Sequence, residues 1–224
     1  MSLRRHLIIM LKEARPGRVK TRLAADIGKV EATWWFRHQS HKLVRTLSRD
    51  ARWTTTIALS PDVAVHGRSF PFWASRRSQG RGDLGQRMQR QLAASVPGPV
   101  VLIGSDIPGV TPQTIATAFA ALKSHDAVFG PAPDGGYWLV GLRNAHLARP
   151  SLFANVRWSC EHTLTDSLNS LGSDMRVAFT KTMRDVDSQT DLAHIPSPGF
   201  PKKAFRTDMR FTHDKAVGLA FSDQ

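Results

Sequence analysis

His6-Leu7-Ile8-Ile9-Met10-Leu11, a continuous apolar run that ends in a basic loop containing Pro16 and Gly17, decides the fold. A short run that is apolar at every position suits a strand buried on both faces, so it reads as a central strand feeding a turn. After Gly28 the period changes. Ala32, Phe36, Leu43, Val44 and Leu47 fall on one side of a helix from about Lys29 to Arg49, and Thr54 to Leu59 is a β-branched strand, so the chain opens as βαβ. Leu84, Met88 and Leu92 recur at four-residue spacing in a second helix, which Pro97-Gly98-Pro99 stops before the strand Val100 to Ile103. Thr111 as cap and Pro112 in the first turn open a helix to about Lys123, and Ala127 to Phe129 is the next strand. This alternation predicts a doubly wound α/β fold with a mostly parallel central sheet. Beyond Gly136 the pattern is mixed: Tyr137 to Leu142 reads as a strand, Val156-Arg157-Trp158 as a short one, Glu161 to Leu171 as a helix and Met175 to Phe179 as a strand. A small antiparallel edge is expected there.

The 224 residues, 41% hydrophobic and 22% charged, suit one globular domain over 1–196 followed by a basic C-terminal extension over 197–224. No apolar run approaches the roughly 20 residues of a membrane span, so none is expected. The N-terminal apolar stretch stops at Leu11 without a small-residue cleavage site, which leads to the expectation of a cytoplasmic protein. The single cysteine, Cys160, excludes an intrachain disulfide and a cysteine-cluster metal site. A net charge of +13 calls for an anionic partner. The cations are spread along the chain, not gathered in an arm, which disfavours a nucleic-acid-binding module against a phosphorylated small molecule.

Five segments carry candidate chemistry. Lys12, Arg15, Arg18, Lys20 and Arg22 crowd the loop after the first strand, with Gly17 among them. Ligands of open α/β sheets bind beyond the strand ends, where glycine lets backbone N–H groups approach phosphate and cations neutralise it. The alternative is a solvated charge run. Gly80-Arg81-Gly82-Asp83-Leu84-Gly85 places three glycines before a helix, either for close approach of a ligand or as an ordinary turn capped by Asp83. Asp106 follows the apolar strand Val100 to Ile103 and is the first metal candidate, a hard carboxylate ligand suited to Mg²⁺ or Mn²⁺, with an Asx-type turn before Pro108 as the plainer reading. Asp134-Gly135-Gly136 repeats the strand–turn–acid arrangement, with Asp134 as an acceptor-side base or simply part of a hairpin turn. Near the end, Asp185-Val186-Asp187 offers two acids, one for the same cleft or, alternatively, for helix capping. His38 and His41 lack a third ligand, and Ser105, Ser159 and Cys160 lack a nucleophile context. Phe70, Phe72 and Trp73 read as packing on the sheet ahead of lining an acceptor pocket.

In order, KEARPGRVKTRLA, QGRGDLGQRM, VLIGSDIPG, GPAPDGGYWLVGL, RWS and DVDSQTDL, spread over Leu7 to Ala193, resemble the bacterial glycosyltransferase-A-like family called rSAM/selenodomain-associated transferases, long a domain of unknown function. The resemblance implies a three-layer αβα, Rossmann-like nucleotide-diphospho-sugar transferase fold. It also implies that the Lys12 to Arg22 and Gly80 to Gly85 loops hold a nucleotide, that Asp106 holds the metal, and that Asp187 is a second ligand. Ala14 stands where Pro is common, Cys160 where Thr is usual, and Ser188-Gln189-Thr190 in place of Thr-Pro-Glu. The leading expectation is a divalent-metal-dependent glycosyl transfer from a nucleoside-diphosphate sugar to a small acceptor. The runner-up is nucleotidyl transfer from a nucleoside triphosphate to a phosphorylated acceptor with release of pyrophosphate.

Overall fold

The computed structural model describes residues 4–70, 74–193 and 195. The apolar run forms β1 (His6–Lys12), buried from His6 to Leu11 and flanked by parallel strands on both sides. On one side lies β2 (Thr54–Ser60), in register from His6 opposite Thr54 to Lys12 opposite Ser60, and beyond it β3 (Ser75–Ser78). On the other lies β4 (Val100–Ile103), starting with His6 opposite Val100. The remaining strands are β5 (Ala127–Pro131), β6 (Tyr137–Leu142) and β7 (Val177–Phe179), in the sheet order β3-β2-β1-β4-β6-β5-β7. Only β6 runs antiparallel, and it lies between β4 and β5. It follows β5 through the short Ala132–Gly136 connection, which only antiparallel neighbours can use. The edge strand β7 pairs parallel with β5.

Helices α1 (Thr21–Ile27) and α2 (Lys29–Ser48) join β1 to β2, α3 (Leu84–Ala93) joins β3 to β4, and α4 (Pro112–Ala121) joins β4 to β5. Alternation puts Ile8 and Met10 on one face of β1, where they share a core cluster with Met88 and Leu92 of α3. Leu7, Ile9 and Leu11, equally buried, face the other way. No buried residue of α2 or α4 belongs to the α3 cluster, so these helices cover the second face and complete three layers. Asp83 and Gln86 form a reciprocal cap on α3, as Thr111 and Thr114 do on α4. The last helices are α5 (Thr163–Asn169) and α6 (Gln189–Ala193).

Several expectations need correction. The basic loop ends earlier than its charge pattern implied, because α1 begins at Thr21 and takes Arg22 into its first turn. Strand β3 went unread because Ser75-Arg76-Arg77-Ser78 is polar, and it pairs only with β2. Val156-Arg157-Trp158 is not a strand: Phe153, Asn155 and Ser159 have positive φ, and the Arg157 amide donates to Asp166 instead of to a neighbouring strand. The expected Glu161 to Leu171 helix shortens to α5, and Met175 to Phe179 shortens to β7. Phe70 is buried and stacked on His41, whereas Phe72, Trp73 and the basic extension over 197–224 lie outside the described residues. No helix among the described residues is long and apolar enough to cross a membrane.

Candidate functional site

The chain leaves β1 for β2 and β3 on one side and returns to β4 on the other, so a crevice opens beyond the carboxyl ends of β1 and β4, the usual ligand position in open α/β sheets. The loop after β1 is pinned by buried Val19 and Leu23. Between them Lys20 adopts φ 47°, ψ 51°, a left-handed conformation that costs a side-chain-bearing residue about 1–2 kcal/mol. Its ammonium turns inward, with the side chain only 6% exposed. Nζ lies 2.6 Å from Asp106 Oδ2, 2.7 Å from Asp187 Oδ1 and 4.0 Å from Asp185 Oδ2. Arg22 reaches the other Asp187 oxygen at 3.4 Å.

The far acids arrive through backbone pairing. After β7 the chain follows the end of β5: the Thr180 amide donates to the Phe129 carbonyl, Met183 to Pro131 and Val186 to Asp106, while the Trp138 indole donates to the Lys181 carbonyl. Val186 is buried, so alternation turns Asp185 and Asp187 together toward Lys20. Asp191 accepts the amides of Asp187 and Ser188 at 3.1 and 2.9 Å, leaving the Asp187 carboxylate to Lys20 and Arg22.

Carboxylate oxygens of Asp106, Asp185 and Asp187 lie within 4.8 Å of one another. Burial pulls the Lys20 pKa down, but Asp106 and Asp187 outweigh it and hold the ammonium above its ordinary value. Burial, followed by the charge of Asp187, pushes Asp185 up to about 6; Lys20 partly offsets this, and Asp106 and Asp134 add to it. Three hard oxygen donors, one of them poorly compensated by a single ammonium, fit a divalent cation of the Mg²⁺ or Mn²⁺ kind.

The glycine loop sits at the ends of β1 and β2, where the buried Gln79 amide donates to the carbonyls of Leu11 (3.0 Å) and Ala58 (2.9 Å). Arg90 packs against Gly80 and donates to the carbonyls of Gln79 and Arg81, and Arg87 donates to that of Gly82. Gly80 and Gly82 both have positive φ. One Asp83 oxygen accepts the Gln86 amide at 2.8 Å. Gly85 has a packing reason: a Cβ there would lie 2.7 Å from the Trp158 ring and 2.9 Å from Phe153 Cβ.

Lys20, Arg22, Asp106 and Asp187 are thus brought together. Lys12 is exposed at the end of β1, Arg15 pairs with Glu13 at 2.6 Å, and Gly17 forms a turn at φ +74°. Asp134 accepts the Gly136 amide and lines, with Asp106 and Asp185, a cavity of about 230 Å³ whose other walls include Met10, Met88 and Trp158. Asp185 is the member that sequence reasoning left undecided. Its signal is the two-residue period around Val186, an apolar residue between two acids in an extended segment.

The Asp134 turn is held by close backbone approach. Gly135 has φ +84°, its carbonyl accepts the Leu164 amide at 2.9 Å, and a Cβ would overlap the Glu161 backbone. Gly135→Ala is therefore expected to cost about 2–4 kcal/mol, combining left-handed strain with overpacking. Urea unfolding checks this, and a loss below 1 kcal/mol would show that the turn is looser than described.

The sheet order and the acids beyond β1 and β4 define the class: the protein has the fold of the nucleotide-diphospho-sugar transferases. It superimposes on a Desulfovibrio desulfuricans G20 protein assigned to that class with a TM-score of 0.70 and 27% identity, over 84% of each chain. The chain belongs to the DUF2064 family, described as uncharacterized proteins conserved in bacteria, whose profile matches residues 43–160. More distant matches are 4-diphosphocytidyl-2C-methyl-D-erythritol synthase of Anaerococcus prevotii DSM 20548 (TM-score 0.55, 12% identity, 85% of this chain and 93% of that one) and Rv0371c of Mycobacterium tuberculosis H37Rv in complex with manganese (0.50, 14%, 86% and 97%). The comparison with curated proteins found no match.

Proposed function

We propose that the protein is a Mg²⁺- or Mn²⁺-dependent transferase that moves a glycosyl group from a nucleoside-diphosphate sugar to a small acceptor. The observation that carries this reading is the set of Asp106, Asp185 and Asp187 gathered around the ammonium of Lys20, beside a cavity that also contains Asp134. Asp106, Asp185 and Asp187 would hold the divalent ion, which supplies charge neutralisation of the departing diphosphate. Rv0371c, which shares the fold, is described with manganese. Lys20 and Arg22 stand where they meet the phosphates, adding donors preorganised for the charge that develops as the bond breaks. Lys12, Arg15 and Gly17, with Gly80, Gly82 and Asp83, form the nucleotide side, while Gly85 gives room to the Trp158 ring. Asp134 accepts the proton of the acceptor hydroxyl. A cytoplasmic location accompanies this reading, since nucleotide donors are made there.

Nucleotidyl transfer from a nucleoside triphosphate is the second reading, favoured by Lys20 as a fixed cation for phosphate. It requires a phosphorylated acceptor, yet no Lys, Arg or His is among the described residues that line the cavity. Incubation with nucleoside-diphosphate sugars and with nucleoside triphosphates, each with Mn²⁺, separates the two: release of nucleoside diphosphate is expected. Pyrophosphate without sugar transfer would overturn the leading reading. The same acids repel a polyanion, which argues against nucleic acid as partner.

Within the cationic loop, Arg22→Ala is expected to weaken nucleotide binding about tenfold, the scale of one charge-assisted contact, while Arg18→Ala leaves it nearly unchanged. Arg22 points to the acids, whereas Arg18 is exposed in the turn closed by its amide on the Arg15 carbonyl. Equal losses in calorimetry would mean a diffuse field and no specific phosphate contact.

A further inference from the structure

The cavity beside the acids has a chemistry of its own. Of the three carboxylates that line it, Asp106 and Asp185 face Lys20, whereas the side-chain contact shown for Asp134 is the Gly136 amide at 3.0 Å. No cation is among the described lining residues, so an anionic group entering here would lose its hydration and meet like charge. Hydroxyl groups, in contrast, donate to carboxylates. Much of the remaining wall is apolar, with Met10, Met88 and Trp158 among its residues.

Trp158 is held in place before any ligand arrives. Its ring packs on the bare backbone of Gly85, and Phe153 meets it edge-on at 6.3 Å between centroids. Ser159, directly after it, is held at φ +60°, a conformation that persists for a non-glycine residue only where the surroundings enforce it. A rigid aromatic face costs little further ordering on binding. The volume of about 230 Å³ lies below the range of roughly 300–1,000 Å³ usual for drug-sized ligands, which leaves room for one small ring.

We propose that this cavity takes a polyhydroxylated ring without an anionic group, its C–H face on Trp158 and a hydroxyl at Asp134. Calling that ring the acceptor rests on the glycosyl-transfer reading; the binding preference rests on the lining alone. Trp158 is then a substrate-contacting residue, and Gly85 positions it.

The test is a titration of the wild-type protein in EDTA, so that phosphate does not bind through a metal. It follows the Trp158 indole N–H by NMR, with the resonance assigned from Trp158→Phe. Probes are the methyl glycosides of glucose, mannose and galactose, myo-inositol, and glucose 6-phosphate. At least one uncharged ring is expected to saturate the Trp158 signal in the millimolar range and to bind at least tenfold more tightly than the phosphate. Read by saturation-transfer NMR on the probe, which needs no Trp158 signal, Trp158→Leu is expected to weaken that ring at least tenfold while leaving nucleoside-diphosphate binding unchanged; should this variant fail to fold, the wild-type comparison decides. Equal or tighter binding of the phosphate, uncharged-ring binding indifferent to Trp158→Leu, or no response to any uncharged ring at tens of millimolar would each overturn the proposal. A protein that prefers uncharged rings yet releases pyrophosphate from nucleoside triphosphates would lose the glycosyl-transfer reading and keep this pocket.

Discussion

Asp106→Asn is expected to abolish metal-dependent turnover while leaving the fold intact. The amide keeps the size and shape of the side chain, and at 30% exposure the site tolerates the change without opening a cavity. What goes is a charged ligand. Forfeiting one typically removes several kcal/mol of stabilisation of the departing charge, on the order of a thousandfold in rate. Asp187→Asn and Asp185→Asn are expected to act in the same direction, because both share the oxygen cluster with Asp106. Nucleotide binding without metal survives in part, since the cationic loop is untouched. Steady-state rates across a Mn²⁺ titration check the result. A folded Asp106→Asn protein with near-normal turnover and unchanged metal dependence would place the catalytic centre elsewhere.

Lys20→Met is expected to produce two effects of opposite sign. The methionine keeps the aliphatic stem but leaves Asp106, Asp185 and Asp187 facing one another without their shared cation. Breaking a fully buried pair costs about 3–5 kcal/mol. Here Asp106 and Asp187 are 30% and 41% exposed, so solvent screening reduces the expected loss of stability to about 1–2 kcal/mol. Mn²⁺ then replaces the missing charge, so the metal binds more tightly and restores the melting temperature. Turnover nevertheless falls by roughly a hundredfold or more, the usual cost of removing one preorganised donor from developing charge. Lys20→Gly separates charge from backbone, because glycine also relieves the left-handed strain at φ 47°. Unchanged Mn²⁺ affinity together with wild-type turnover would mean that Lys20 is a structural counterion only.

Much of the scaffold is legible in local pattern. The apolar run of β1, the caps Asp83 and Thr111, and the Asp134-Gly135-Gly136 turn each carry their own signal, and the structure places them as read. Helix α1 does not, since it starts at the left-handed turn of Lys20, whose ammonium is held by Asp106 and Asp187 from far along the chain. Polar β3 is invisible to hydrophobic periodicity because its pairing with β2, not its side chains, makes it a strand. At the site, Lys20 and Asp187 are 167 residues apart, and nothing local announces that the segment after β7 returns to Asp106 through the Val186 amide. Gly85 shows the limit of motif reading, because a glycine in a loop that suggests phosphate is required here by the ring of Trp158.

The most direct measurement is anomalous scattering from crystals grown with Mn²⁺ and a nucleoside diphosphate. The expected map has a peak at about 2.1 Å from oxygens of Asp106, Asp185 and Asp187, with a phosphate oxygen as a further ligand and Lys20 Nζ turned from Asp106 to the diphosphate. A nucleotide seated elsewhere, with no peak at these acids and Lys20 still bridging Asp106 and Asp187, would contradict the assignment of this crevice as the transfer centre.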